Sequence, residues 1–231
     1  MRYPLLAIAI LALGACGGSD ASDSAADIAA FPAEPEQPET PPQGRFAPRN
    51  ECIDAPGAKP FFVALEQAIR DRKADELLAL TGAGVRLDFG GGGGLTTFRE
   101  RLEAPDSELW AQLERVLALG CAMEEDGTMV LPWYFAQDLQ VSDPFAAMMV
   151  TDSAVALRSG PDPESPAVGR VSWDTVTLLD GPPRGGAVRV RTRAGEEGYI
   201  DSGKLRSLVD YRLFVGQNGG EWRIAGFMSG D

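Results

Sequence analysis

Three cysteines carry most of the chemistry open to this chain, because its 231 residues include no histidine. Without histidine there is no Ser-His-Asp triad, no Cys-His pair and no imidazole general base. Zinc sites with histidine ligands are excluded for the same reason. We therefore assign no catalytic residue, metal ligand or cofactor, and expect a protein that is not an enzyme.

The first cysteine ends a segment that has the pattern of an export signal. Arg2 supplies a positive charge, and residues 4–15 form an apolar run that is too short to cross a bilayer but fits a signal peptide. The run ends in Leu-Gly-Ala-Cys, which resembles the lipobox of bacterial lipoproteins. The resemblance implies that residues 1–15 are removed and that Cys16 receives diacylglycerol. An ordinary secretory signal followed by a chance cysteine is the alternative.

The residue after the lipobox bears on the membrane in which the protein resides. In bacterial lipoproteins an aspartate at this position usually marks retention in the inner membrane, so Gly17 favours the outer membrane, with the protein facing the periplasm. The net charge of -13 means that anionic membrane surfaces repel the chain, so the lipid must hold it there. The same charge argues against a nucleic-acid partner, which would require clustered basic residues.

Residues 16–50 have the composition of a disordered tether. Proline recurs six times, and every charge between residues 20 and 43 is acidic. Such a segment cannot bury enough apolar surface to offset the entropy lost on ordering. At about 3.1 Å per residue, a proline-rich chain of this length could reach roughly 100 Å from the membrane. The PxxP spacing also suggests an SH3 ligand, but a spacer fits the periplasm better.

The two remaining cysteines, Cys52 and Cys121, form an even pair in an oxidising compartment. This predicts a disulfide that joins the end of the tether to a position just after a helix. Two buried free thiols are the alternative.

The elements that would position any site begin after the tether, in residues 51–150. Apolar spacing predicts helices at residues 59–73 and others beginning near residues 74, 97 and 107, with strands at residues 85–89 and 128–131. Five glycines, residues 90–94, lie between a strand and a helix. They match neither a Walker A loop nor a dinucleotide-binding loop, so we expect a flexible loop.

Two groups in this region could serve a site. Asp88, with Glu100 or Glu103, could form a carboxylate pair, although such pairs arise easily by chance in an acidic chain. Trp133 and Tyr134 belong to the densest aromatic cluster, which could line a ligand groove but more often fills a core.

From residue 150 the sequence changes to short β-rich runs separated by turn residues. This region resembles the bacterial SH3-like (SH3b) domain in the order and spacing of three motifs, at residues 155–161 (VALRSGP), 165–169 (SPAVG) and 198–200 (GYI). The resemblance covers about 55 residues and implies a small, bent β-barrel over residues 151–207. Some SH3b domains bind cell-wall glycopeptide, and many are accessory modules.

The resemblance supplies the candidate binding residues Arg158, Trp173 and Tyr199. Arg158 has a structural interpretation as well, in which its guanidinium holds the following Gly-Pro turn. The chain also departs from the family. Ala187 stands where SH3b domains have an aromatic residue, and Trp173 with Asp174 replaces their usual Lys-Gly turn.

Residues 208–231 form a predicted hairpin around Asn218 and Gly219. Two strands alone are not stable in water. We therefore expect the hairpin to complete the antiparallel sheet of residues 51–150, which makes the SH3b region an insertion in an α+β fold. Helices followed by such a sheet vaguely resemble NTF2-like proteins.

Together these features predict a lipid-anchored, non-catalytic periplasmic protein that binds peptidoglycan or an envelope protein. One alternative is an enzyme that acts on envelope glycan and uses a carboxylate pair in which at least one pKa is raised. Another is a small-ligand protein whose closed apolar cavity is lined by Phe62, Phe89, Trp110 and Trp133.

Overall fold

The computed structural model describes residues 44–230. Its four α-helices lie between residues 58 and 118 and form one layer. The predicted signal peptide, Cys16 and the tether up to residue 43 lie outside the described residues. The helices are α1 (Ala58–Arg70), α2 (Ala74–Ala79), α3 (Leu95–Glu103) and α4 (Leu109–Ala118). In α1 the side chains of Phe62, Leu65 and Ile69 are buried at helical spacing, as the sequence pattern predicts.

Twelve strands within the described residues form two sheets. The first sheet has the order β1-β12-β11-β3-β2 and the second has the order β10-β4-β7-β8-β9-β5-β6. The bounds are β1 Thr81–Arg86, β2 Ala122–Met123, β3 Met129–Leu131, β4 Ala147–Val150, β5 Val155–Arg158, β6 Ala167–Val171, β7 Thr175–Leu178, β8 Ala187–Thr192, β9 Glu197–Asp201, β10 Leu205–Ser207, β11 Arg212–Asn218 and β12 Glu221–Met228. The α+β class is thus confirmed in broad form, with more sheet than helix.

The C-terminal hairpin of β11 and β12 lies in the middle of the first sheet. β12 pairs in parallel with β1, and β11 pairs antiparallel with β3, where Phe214 faces Val130. The last strands of the chain therefore join strands from its first half, as the sequence predicts, but the sheet is mixed and not purely antiparallel, because β1 and β12 are parallel. A hairpin with one apolar face gains stability from such neighbours, because both of its edges become hydrogen-bonded.

The second sheet is not the closed barrel that the sequence predicts. Its pairings within the described residues leave β6 and β10 as separate edge strands. It also begins before the expected boundary at residue 151, because β4 pairs with both β7 and β10. All four residues of β4 are buried, so this strand is a central part of the second sheet.

Three hydrophobic cores hold these layers together. One lies between the helices and the first sheet, one joins the two sheets, and one lies within the second sheet. Alternate residues of β11 enter different cores, because successive side chains of a strand point to opposite faces. Leu213 and Val215 pack toward the helices, whereas Phe214 packs toward the second sheet. Both sheets consequently belong to one compact unit.

The predicted disulfide between Cys52 and Cys121 is present, with the two Cα atoms 5.8 Å apart. Both cysteines are fully buried. Next to the bond, Asn50 forms a parallel bridge with Cys121, and the Cys121 amide donates to the Arg49 carbonyl over 2.8 Å. Residues 49 and 50, the last of the predicted tether, are thereby fixed beside the C-terminal end of α4.

The glycine run turns back along β1 and forms hydrogen bonds with it. The sequence, in contrast, predicts a flexible loop here. Gly93 bridges Arg86, and the amide of Gly94 donates to the Val85 carbonyl over 2.8 Å. A Cβ atom on Gly93 would lie 2.2 Å from the Val85 oxygen. Glycine is therefore required here because the two backbones approach so closely.

Gly93→Ala is expected to lower the free energy of unfolding by about 1–3 kcal/mol, since one of the two backbones must move. Gly84→Ala on β1 is the matched control, because a Cβ there meets no atom within 4 Å. Urea unfolding of both variants measures the difference. Equal stability of the two variants would show that the close approach is not needed.

Candidate functional site

Trp133 and Tyr134, candidates for a ligand groove or for a core, are buried in the core between the two sheets. Their exposed fractions are 4% and 3%. They follow β3 on a short 3-10 turn and pack with Phe46, Val130 and Met149. These two aromatic residues therefore join the layers and offer no open binding surface.

Burial raises the pKa of the Tyr134 hydroxyl to about 12, although the neighbouring Arg206 guanidinium acts in the opposite direction. Unfolded tyrosine ionises near pH 10. Between about pH 10 and 12 the unfolded state therefore loses a proton that the folded state keeps, and stability falls as the pH rises.

Two pKa units correspond to about 2–3 kcal/mol, so we expect a loss of that size between about pH 10 and 12. Tyr134→Phe should remove this part of the pH dependence. Urea unfolding at pH 9 and pH 11, an interval in which about half of this loss develops, compares the two proteins. Parallel losses in the wild type and in Tyr134→Phe would contradict the assignment to this hydroxyl.

Arg158 holds a turn of the second sheet, in agreement with its structural interpretation. Its Nη1 donates to the Ser165 carbonyl over 2.8 Å, across the Gly160–Pro161 turn. Tyr199 on β9 lies opposite Arg158 on β5 and Arg189 on β8, and is half-buried between these strands. Neither residue lines the cleft described below.

Trp173 occupies the turn between β6 and β7, with a left-handed φ of 43°. Its indole Nε1 donates to the Ser153 hydroxyl over 3.0 Å, and its carbonyl accepts from the Phe46 amide over 2.8 Å. Gly44 lies so close to this turn that a Cβ there would be 1.6 Å from the Ser172 oxygen. The prediction of a disordered tether up to residue 50 is therefore wrong for residues 44–50, because Phe46 is buried and hydrogen-bonded to the Trp173 turn.

A cleft lies at the junction of the helical layer and the second sheet, with Trp173 in its wall. It has a volume of about 490 Å³, which falls within the range of small-ligand pockets. Helix α4 and the residue after it supply one side, and Thr151 with residues 202–207 supply the other. We call this the junction cleft; its lining residues are Arg115, Ala118, Leu119, Thr151, Trp173, Ser202, Gly203, Leu205, Arg206, Ser207 and Asp210.

Two arginines of the junction cleft differ in their surroundings. Arg206 is buried; its guanidinium pairs with Asp210 at 3.1 Å and donates to the Tyr211 carbonyl over 2.8 Å. Arg115 is exposed on α4 and has no ion pair or hydrogen bond among residues 44–230. The cleft therefore contains one accessible cation, beside the rigid Arg206–Asp210 pair.

A wider groove of about 750 Å³ lies between α1 and α2. Its walls are mainly apolar, and Lys59, Gln67 and Glu76 are its polar residues. Ligand recognition needs polar groups that fix orientation as well as apolar area. The lining of the junction cleft is more evenly divided between polar groups and apolar surface, so we take this cleft as the candidate functional site.

Of the carboxylates proposed for an enzyme, Asp88 and Glu103 are held by cations, whereas Glu100 is exposed and has no ion pair among the described residues. Asp88 pairs with Arg101 at 2.8 Å, and this guanidinium, with the Gly92 amide, lowers the pKa of Asp88. Glu103 pairs with Arg99 at 3.1 Å. Every carboxyl pKa shift resolved in the described residues is downward, the other shifted groups being Asp126, Asp152 and Glu197. A general acid needs the opposite shift.

The four aromatic residues proposed for a closed apolar cavity do not meet. Phe62 and Trp110 lie in the core between the helices and the first sheet, whereas Trp133 lies in the core between the sheets. Phe89 is 47% exposed, on the loop after β1. These residues therefore do not line one cavity.

Comparisons with protein-family models, with curated proteins and with solved structures find no match to this chain. Within residues 44–230, the helices lack the length and apolar character needed to cross a bilayer. The same range has no group of three or more cysteine and carboxylate side chains that could hold a metal ion.

Proposed function

We propose that this chain is a lipid-anchored periplasmic protein that binds a component of the cell envelope, either peptidoglycan or an envelope protein, without catalysis. The lipid on Cys16 anchors it in the membrane, and the acidic, proline-rich segment places the folded part at a distance from the surface. Residues 151–207 act as an SH3b-like module built into the second sheet.

The observation that supports this proposal most is the composition of the junction cleft. Trp173 offers a large, rigid aromatic surface, and Arg115 offers a cation without a partner among the described residues. Aromatic residues and arginine are the side chains that contribute most often to binding energy at protein interfaces. Trp173, in the wall of the cleft, also accepts a hydrogen bond from the Phe46 amide over 2.8 Å, which connects the cleft to the start of the described chain.

The glycan-cleaving alternative has less support. Asp88 and Glu103 are each paired with an arginine, and the pKa of Asp88 is lowered. The lowered pKa of Asp88 favours its ionised form, which does not serve as a general acid.

Sedimentation with isolated cell envelopes tests the proposal without the contribution of the lipid. The full chain carrying Cys16→Ala is expected to sediment with envelopes that contain both sacculi and envelope proteins. Ala118→Trp, which fills the exposed α4 side of the junction cleft, should reduce the sedimented fraction by about ten-fold. Ala194→Trp is the matched control, because Ala194 is equally exposed but lies outside the cleft.

Purified sacculi, used in parallel, separate the two partner classes. Sedimentation with sacculi alone identifies peptidoglycan, and sedimentation only with complete envelopes identifies a protein. The proposal fails if the Cys16→Ala chain sediments with neither, or if Ala118→Trp binds as well as Ala194→Trp.

A further inference from the structure

The charges of the junction cleft indicate what its ligand carries. Three charged side chains line it, and two of them, Arg206 and Asp210, neutralise one another at 3.1 Å. Arg115 remains as a positive charge without an ion pair in the described residues. This is a local reversal in a protein whose net charge is -13. A ligand with one negative charge therefore finds a complementary partner at this point of the surface.

Hydroxyl groups add hydrogen-bond donors to the same cleft. The Ser207 oxygen accepts from the Val209 amide over 3.3 Å, and its hydroxyl proton has no acceptor within the described part of the chain. Ser202 has no side-chain hydrogen bond in that part. Two hydroxyls and a guanidinium on one cleft are the donor set that a carboxylate accepts from.

The remaining walls are apolar. Trp173, Leu119 and Leu205, with Ala118, present ring and aliphatic surface beside these donors. A ligand that satisfies both parts has a charged end and a small apolar body. A phosphate carries up to two charges and would meet a single cation without an ion pair in the described residues, so a single carboxylate suits the cleft better.

We infer that the junction cleft binds the free carboxylate end of a peptide that has small apolar side chains. The guanidinium of Arg115 pairs with the carboxylate, the Ser202 and Ser207 hydroxyls donate to it, and the last side chains of the peptide lie against Trp173. This inference rests on the proposed function, since it names the chemistry by which the envelope component is recognised.

Two dipeptides test the inference on the full chain in detergent. N-acetyl-Ala-Ala with a free carboxylate is compared with its C-terminal amide, which has the same shape and no charge. The indole N–H signal of Trp173, assigned with Trp173→Phe, reports binding by NMR. We expect the carboxylate form to shift this signal saturably, and the amide to bind about ten-fold more weakly, which corresponds to about 1.4 kcal/mol.

Arg115→Glu should weaken the carboxylate form by at least about ten-fold, whereas Arg115→Lys should keep part of the binding. Arg184→Glu is the control, because Arg184 is an exposed arginine that does not line the cleft. Equal binding of acid and amide to the wild type, no shift of the Trp173 signal, or unchanged binding by Arg115→Glu would each overturn the inference. If envelope sedimentation still depends on Ala118 in that case, the proposed function stands and only the carboxylate chemistry is wrong.

Discussion

Replacing Cys52 and Cys121 together by alanine is expected to lower the free energy of unfolding by about 4 kcal/mol. The bond joins residues 69 apart in sequence, and the chain-entropy model gives about this value for a loop of that length. A loss of this size is a large part of the stability of an ordinary domain. The effect arises because the open chain has many more unfolded conformations than the bridged chain.

Urea unfolding of the double variant and of the wild type, with and without a reducing agent, measures this loss. The reduced wild type separates the loss of the bond from the loss of the two buried sulfur atoms. A difference below about 1 kcal/mol between the oxidised wild type and both other forms would contradict the expected role of the bond.

Cys16→Ala is expected to abolish lipid labelling completely and to move the protein from the membrane to the soluble periplasmic fraction. The sequence around Cys16 resembles a lipobox, and the chain is too acidic to be held by anionic headgroups in place of the lipid. Labelling with a radioactive fatty acid, followed by fractionation, measures both effects.

The matched control for Cys16→Ala is Cys52→Ala/Cys121→Ala, which changes the other two cysteines and should keep the label. Unchanged fractionation of Cys16→Ala, or labelling that depends on Cys52 or Cys121, would contradict the anchor.

The features that sequence reasoning predicts well are those encoded in neighbouring residues. The period of Phe62, Leu65 and Ile69 indicates α1, and the Asn-Gly pair indicates the hairpin of β11 and β12. The place of that hairpin in the first sheet follows from a physical requirement, since an isolated pair of strands is not stable. The disulfide follows from the count of cysteines in an oxidising compartment.

The features that the sequence does not reveal depend on contacts between distant segments. The glycine run packs on β1 because Gly93 meets Val85 in the folded chain. α3 begins at Leu95 after Gly94, whose φ is 86°, and not near residue 97 as the apolar spacing predicts. Trp133 and Tyr134 enter a core because a second layer covers their face of the first sheet.

The candidate site is also a feature that the sequence does not reveal. Arg115 lies on the exposed face of α4, and nothing in its neighbouring residues distinguishes it from other surface arginines. Only the approach of Trp173 and of residues 202–207 makes it part of a cleft. Among the candidate binding residues that the sequence predicts, Trp173 is the one that lines the junction cleft.

Photo-crosslinking in living cells tests the central claim, that the junction cleft contacts a component of the envelope. A photo-reactive amino acid replaces Ala118, which is exposed and lines the cleft, in the full chain with Cys16 intact. The same replacement of Ala194, which is exposed outside the cleft, is the control. We predict a discrete adduct from position 118 and none from position 194, with the position-118 adduct lost when Arg115→Glu is added. No adduct from position 118, or the same adduct from both positions, would contradict the claim.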